Sequence, residues 1–133
     1  WKEKLGAKVT ISNLEWKTFL SEKQAGNYGI ARFGWKGDYN EASTFLTLLT
    51  SDSGNNDGGW SNETYDQLLL DARSSDDPNP YYVRAEEILW QAFPVVPVYF
   101  NTTVALVSPS LKGYPEKNPR TIVYSKDMYI TAD

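Results

Sequence analysis

The chain has 133 residues, 41% hydrophobic and 23% charged, with a formal net charge of −4. That length holds one domain with a real core, the hydrophobic share excludes a disordered tail, and no Lys/Arg cluster longer than a pair offers the basic face of a nucleic-acid binder. Cys and His are both absent, which removes disulfides, zinc sites of the usual Cys/His type and His- or Cys-based nucleophilic catalysis. No apolar run approaches the ~18 residues needed to span a bilayer.

Residues 1–6 (WKEKLG) read as the last turns of a helix with Gly6 as its C-cap. An opening of this kind, without an initiator Met, reads as part of a longer chain, with any signal peptide lying upstream. Residues 7–14 alternate around Val9 and Ile11 and predict a short strand. Asn13 is placed to cap the next helix and Glu15 to occupy its first turn. Trp16, Phe19 and Leu20 fall on one face of that helix, which Gly26 ends. Residues 28–35 (YGIARFGW) predict a second strand, 36–41 a loop, and 44–49 one or two helical turns.

The polar, glycine-rich run at 51–59 reads as a surface loop. Ser61 is a candidate cap for a helix carrying Tyr65, Leu68, Leu69 and Ala72. Pro80 suits the first position of another helix, with Ala85, Ile88, Leu89, Ala92 and Phe93 as its apolar stripe and Pro94 as its stop. Residues 95–107 (VVPVYFNTTVALV) are rich in β-formers, with Pro97 favouring an edge or a bulge. The final stretch is irregular, with short strands expected at 121–124 and 128–130. Strands alternating with helices predict an α/β layer.

The most informative segment is 32–41 (RFGWKGDYNE), at the C-terminal end of a predicted strand, where ligands bind in open α/β sheets. Gly34 and Gly37 let another backbone approach closely. Trp35 offers a flat apolar wall, Asp38 a carboxylate for an ammonium group, and Arg32 a partner for a carboxylate. A strand with glycines, an aromatic and an acid is what peptide capture by strand addition requires, although an ordinary strand-to-turn segment has the same composition. The five Trp, nine Tyr and five Phe suit either core or ligand-lined surfaces.

Other motifs carry less. Residues 52–63 have the length of a calcium loop, but Gly54 stands where a ligand is needed and Asp57 where the turn glycine belongs, so the stretch reads as a flexible surface loop. Glu86 and Glu87 point about 100° apart on a helix and do not flank one bond. Asn62-Glu63-Thr64 and Asn101-Thr102-Thr103 match the short glycosylation pattern.

The stretch ARFGWKGDYNEASTFLTLLTSDSGNND resembles the oligopeptide-binding proteins of bacterial ABC importers, as do LEWKTFL at 14–20, YDQLL at 65–69, RAEEIL at 84–89, VVPVYF at 95–100 and VALVSPSLKGY at 104–114. The resemblance covers almost the whole chain. It implies an α/β fold, the C-terminal lobe portion of a type II periplasmic-binding-protein fold, with residues 1–133 as one domain and the N-terminal lobe and hinge elsewhere. It implies a periplasmic protein or extracytoplasmic lipoprotein that binds short peptides, delivers them to an inner-membrane ABC permease, is monomeric, and has no cofactor, no bound nucleic acid and no catalysis. By resemblance, Asp38 anchors the peptide ammonium, Arg32 meets a ligand carboxylate, Gly34 and Lys36 offer backbone groups, and Trp35 lines a side-chain pocket. Lys36, Gly37 and Ala42 depart from the family pattern, which leaves side-chain preference open. The alternatives are the same fold with a murein peptide, dipeptide or nickel complex as cargo, a glycosidase using Asp38, and a chaperone-like role.

Overall fold

A computed structural model describes residues 1–117 and 122–131. Its core is helical. Helix α3 (Ser43–Leu46) runs into a 3-10 turn (Thr47–Leu49) and packs on the pair α4 (Glu63–Arg73) and α5 (Asn79–Ala92). Tyr65, Leu68, Leu69 and Ala72 recur at helical spacing on α4 and are all buried, against Leu46 of α3 and Tyr82 and Ala85 of α5. Ile88 and Leu89 pack beside them, half-buried. Tyr65 is wholly enclosed, its hydroxyl donates to the Leu46 carbonyl at 2.6 Å, and Trp60 meets its ring edge-on. Burial of the ring and its hydroxyl pushes the Tyr65 pKa upward, with Asp66 and Glu86 adding to the shift.

Local chemistry sets the helix ends. The Asn62 side chain, not Ser61, caps α4 by accepting from the Tyr65 N–H at 2.9 Å. The short pattern at Asn62-Glu63-Thr64 is thereby spent on a helix start. Helix α2 (Trp16–Gln24) is capped by Glu15, whose carboxylate accepts from the Lys17 and Thr18 N–H groups, rather than by Asn13. Carboxylates suit that end because the first-turn amides have no helical partners and the dipole is positive there. Helix α1 (Lys2–Leu5) ends on Gly6 at φ 66, as the sequence predicts. Pro80 lies in the first turn of α5, and Phe93, at φ 47, turns the chain out just before Pro94.

The strands expected at 7–14, 28–35 and 95–107 do not form, since no ladder pairs them among the described residues. A strand exists through its neighbours' main-chain groups, whereas a helix supplies its own. Two contacts nonetheless set the arms side by side. Arg32 donates to the Tyr99 hydroxyl at 2.8 Å, and a Cβ on Gly34 would meet Asn101 Nδ2 at 3.6 Å. Both pairs stand 67 residues apart, so the two segments run in the same direction, as strands joined by a helical crossover do.

The one sheet among the described residues is an antiparallel ribbon of β1 (Leu111–Lys112) and β2 (Tyr129–Ile130), the latter within the strand expected at 128–130. Residues 122–124 form no strand, and Thr121, in the same expected strand, lies outside the described residues. Gly113 follows β1 at φ 79, where an added Cβ would meet the Asp127 carbonyl oxygen at 1.9 Å. Only a residue without a Cβ fits there.

Candidate functional site

Residues 32–38 leave the unpaired arm and dock on the helical core at Gly37 and Asp38. The Asp38 N–H donates to Thr44 Oγ1 at 2.9 Å, and Thr44 is a buried residue of α3. A Cβ on Gly37 would stand 3.1 Å from Thr44 Cγ2 and 3.3 Å from Phe45 Cζ, so glycine permits this close approach. Main chain at Asp38 is thus fixed while its side chain faces outward. Among the described residues the Asp38 carboxylate has no hydrogen-bond or ion-pair partner.

The next turn is knitted to the same helices. Glu41 accepts from the Ser43 N–H at 3.1 Å and from the Ser43 hydroxyl, and Tyr39 and Ser43 share a hydroxyl contact of 2.9 Å. Burial alone would raise the Glu41 pKa, but the hydrogen bonds from Ser43 and the Tyr82 hydroxyl outweigh it and leave the carboxyl below its ordinary range. Burial, then the bond to Glu41, raises the Tyr82 pKa.

Trp35 is half-buried and stacks on Phe33 with centroids 6.2 Å apart. Its Nε1 is buried without an acceptor among the described residues. Lys36 is exposed, as are Gly34 and Arg32. The structure therefore gathers the sequence-selected residues along one exposed segment. Within the chain, Arg32 donates to the Tyr99 hydroxyl.

Sequence reasoning missed what lies behind this segment. Lys23 of α2 makes an ion pair with Asp57 and holds its ammonium 4.7 Å from the Phe33 ring centroid. Residues 51–60, expected as a flexible loop, are tied down. Asn56 Nδ2 donates to the Thr50 and Trp60 carbonyls, and the Ser51 N–H donates to Asp66 Oδ1 at 3.0 Å. No group of three metal-ligating side chains occurs among the described residues. No sequence signal foretold the Lys23–Asp57 pair, because nothing local links positions 34 residues apart.

Residues 32–38 thus bring an exposed carboxylate, an aromatic pair and glycines together beside the helical core. No protein-family model matches the chain. Among curated proteins, the periplasmic murein peptide-binding protein MppA of Escherichia coli is 44% identical over 98% of this chain and 25% of its own length. A probable deoxycholate-binding periplasmic protein, YgiS of the same organism, is 43% identical over 99% of this chain and 25% of its own length. The periplasmic oligopeptide-binding protein OppA of Salmonella typhimurium is 39% identical over 98% of this chain and 24% of its own length.

Among solved structures, E. coli MppA superposes over the whole chain with a TM-score of 0.90 at 43% identity, covering 27% of that structure. Haemophilus influenzae OppA, solved with the peptide RPPGFSPFR, superposes over 92% of this chain with a TM-score of 0.82 at 36% identity, covering 25% of that structure.

The chain is homologous, over nearly its whole length, to periplasmic oligopeptide- and murein-peptide-binding proteins and spans about a quarter of their length. Its fold is a lobe portion of a periplasmic-binding fold, in agreement with the α/β class expected, and its location is periplasmic like theirs.

Proposed function

We propose that residues 1–133 are one domain portion of the C-terminal lobe of a peptide-binding component of an ABC importer. In this reading Asp38 receives the peptide ammonium, and the single observation that carries it is the Asp38 carboxylate, which has no partner among the described residues while its own N–H is tied to Thr44. A ligand ammonium completes that carboxylate with charge-assisted hydrogen bonds. Gly34 and Lys36 present main-chain groups for an added strand, and Trp35 forms the wall of a side-chain pocket. Arg32 has donors to spare beyond its bond to Tyr99 and meets the carboxylate of short ligands. Reading main chain rather than side chains makes the site tolerant of sequence, and it performs no chemistry. The protein acts as a monomer, closes its lobes on the cargo and presents it to an inner-membrane permease.

A murein peptide is the second reading, favoured by the TM-score of 0.90 with MppA. The discriminating measurement is calorimetry on the full-length gene product with tri-alanine, N-acetyl-tri-alanine and a murein tripeptide. Tri-alanine should bind, and acetylation or Asp38→Asn should each weaken it about 10- to 100-fold without adding to one another, since hydrogen bonds to charged groups are worth roughly 1.5–3 kcal/mol. A protein that binds the acetylated peptide equally well has no ammonium anchor at Asp38. Binding of deoxycholate instead of any peptide overturns the reading.

A further inference from the structure

The recognition segment does not stand on the helical core alone. We infer that Lys23 is a positioning residue for ligand capture, holding the Phe33–Trp35 wall and the 51–60 loop in register through one shared ammonium; the inference rests on the peptide-binding reading above.

The observation is a chain of contacts that crosses three separate stretches of sequence. The Lys23 ammonium pairs with the Asp57 carboxylate, and both side chains are only 11% exposed. The same ammonium stands over Phe33, whose ring stacks on Trp35. Exposed ion pairs contribute little, but this pair is largely withdrawn from water, where an unpartnered charge is costly. An ammonium over an aromatic face is likewise worth more once desolvated.

The rest of the neighbourhood leaves the task to Lys23. No residue of helix α2 is fully buried, and Phe19, Leu20, Glu22 and Lys23 are half-buried. The arm from 28 to 35 has no ladder among the described residues, so its aromatic pair needs support from elsewhere. Loop 51–60 is anchored at one end to α4 by Asp66, which makes it a fixed support rather than a follower. Asp57 thus fixes Lys23, Lys23 fixes Phe33, and Phe33 sets the tilt of Trp35, three residues before Asp38. Removing the cation frees the wall without touching any group assigned to the ligand.

The test uses the full-length gene product as wild type, Lys23→Met, Lys23→Arg and Asp57→Asn, with three readouts. These are the tri-alanine Kd, amide hydrogen exchange at 32–38 and 51–60, and thermal unfolding. Lys23→Met should weaken tri-alanine about tenfold and speed exchange at both segments, while exchange in α4 and α5 stays unchanged. Lys23→Arg, which keeps the cation over the ring, should recover most of the affinity. Asp57→Asn leaves Lys23 on Phe33 and should cost about threefold; it is the variant that decides if Lys23→Met does not fold. A lower melting temperature with unchanged Kd makes Lys23 merely structural and overturns the inference, as does faster exchange confined to 51–60. If wild type binds no tri-alanine, the peptide reading falls, and faster exchange at 32–38 alone decides whether Lys23 positions the segment.

Discussion

On α4 and the facing side of α5, Tyr65, Leu68, Leu69, Ala72, Tyr82 and Ala85 are buried, whereas on the arm at 95–107 Phe100 is 98% and Leu106 101% exposed. Both stretches carry large apolar side chains, so the presence of such residues does not separate them. Self-sufficiency does. A helix satisfies its own main chain and needs only one face covered, and α3, α4 and α5 cover one another within fifty residues. A β-rich segment needs neighbours for its main chain and for both faces. In this chain, which spans about a quarter of its relatives' length, the helices cover one another, and the β-rich segments have no ladder among the described residues.

The sharpest way to break that contrast is to truncate one aromatic on each side of it. Tyr65→Ala removes a fully enclosed ring and its bond to Leu46, so it should destabilise by about 3–5 kcal/mol in denaturant unfolding. Phe100→Ala in the same chain should cost under about 0.5 kcal/mol. An equally large loss at Phe100, measured in the full-length gene product, would mean that the arm is covered there and that its exposure is a property of this portion alone.

A second substitution probes the one place where strands do pair. Gly113→Ala adds a Cβ against the Asp127 carbonyl and strains a backbone at φ 79. The β1–β2 ribbon should loosen at a cost of about 1–3 kcal/mol, with faster amide exchange at Thr131, whose N–H donates to the Ser110 carbonyl at 2.9 Å. The helical core should keep its protection. Loss of protection in α4 as well would join the two regions into one cooperative unit.

The same contrast decides what was legible in the sequence. The stripes of α4 and α5, the Gly6 cap and the stop at Phe93-Pro94 are local features, and local physics reads them. The caps Glu15 and Asn62 were each misplaced by one or two residues, because several capping residues compete in those stretches. Composition marks 7–14, 28–35 and 95–107 as β-rich, but these segments form no strands here, because a ladder is not a local property. The candidate site was legible at Arg32, Gly34, Trp35, Lys36 and Asp38 as a contiguous run, chiefly through its resemblance to the oligopeptide-binding proteins. Its supports were not legible. Lys23, Thr44 and Tyr99 meet residues 32–38 only in three dimensions, and Asp57 reaches them through Lys23.

The smallest effect lies where the turn at 37–43 is tied to the helices. Glu41 is held below the ordinary carboxylate range because Ser43 and Tyr82 donate to its charged form more strongly than burial opposes it. A carboxyl depressed in the folded state contributes stability that is fully present above its unfolded pKa and is lost as pH falls through the folded one. Stability should therefore decline as pH falls through and below the ordinary carboxylate range, and Glu41→Gln should flatten part of that decline. The effect should stay under about 1 kcal/mol, because Glu41 is exposed and solvent screens its interactions. Unfolding curves collected across that range for both proteins give the difference directly. A Gln variant with an unchanged acid limb would assign the decline to other carboxylates.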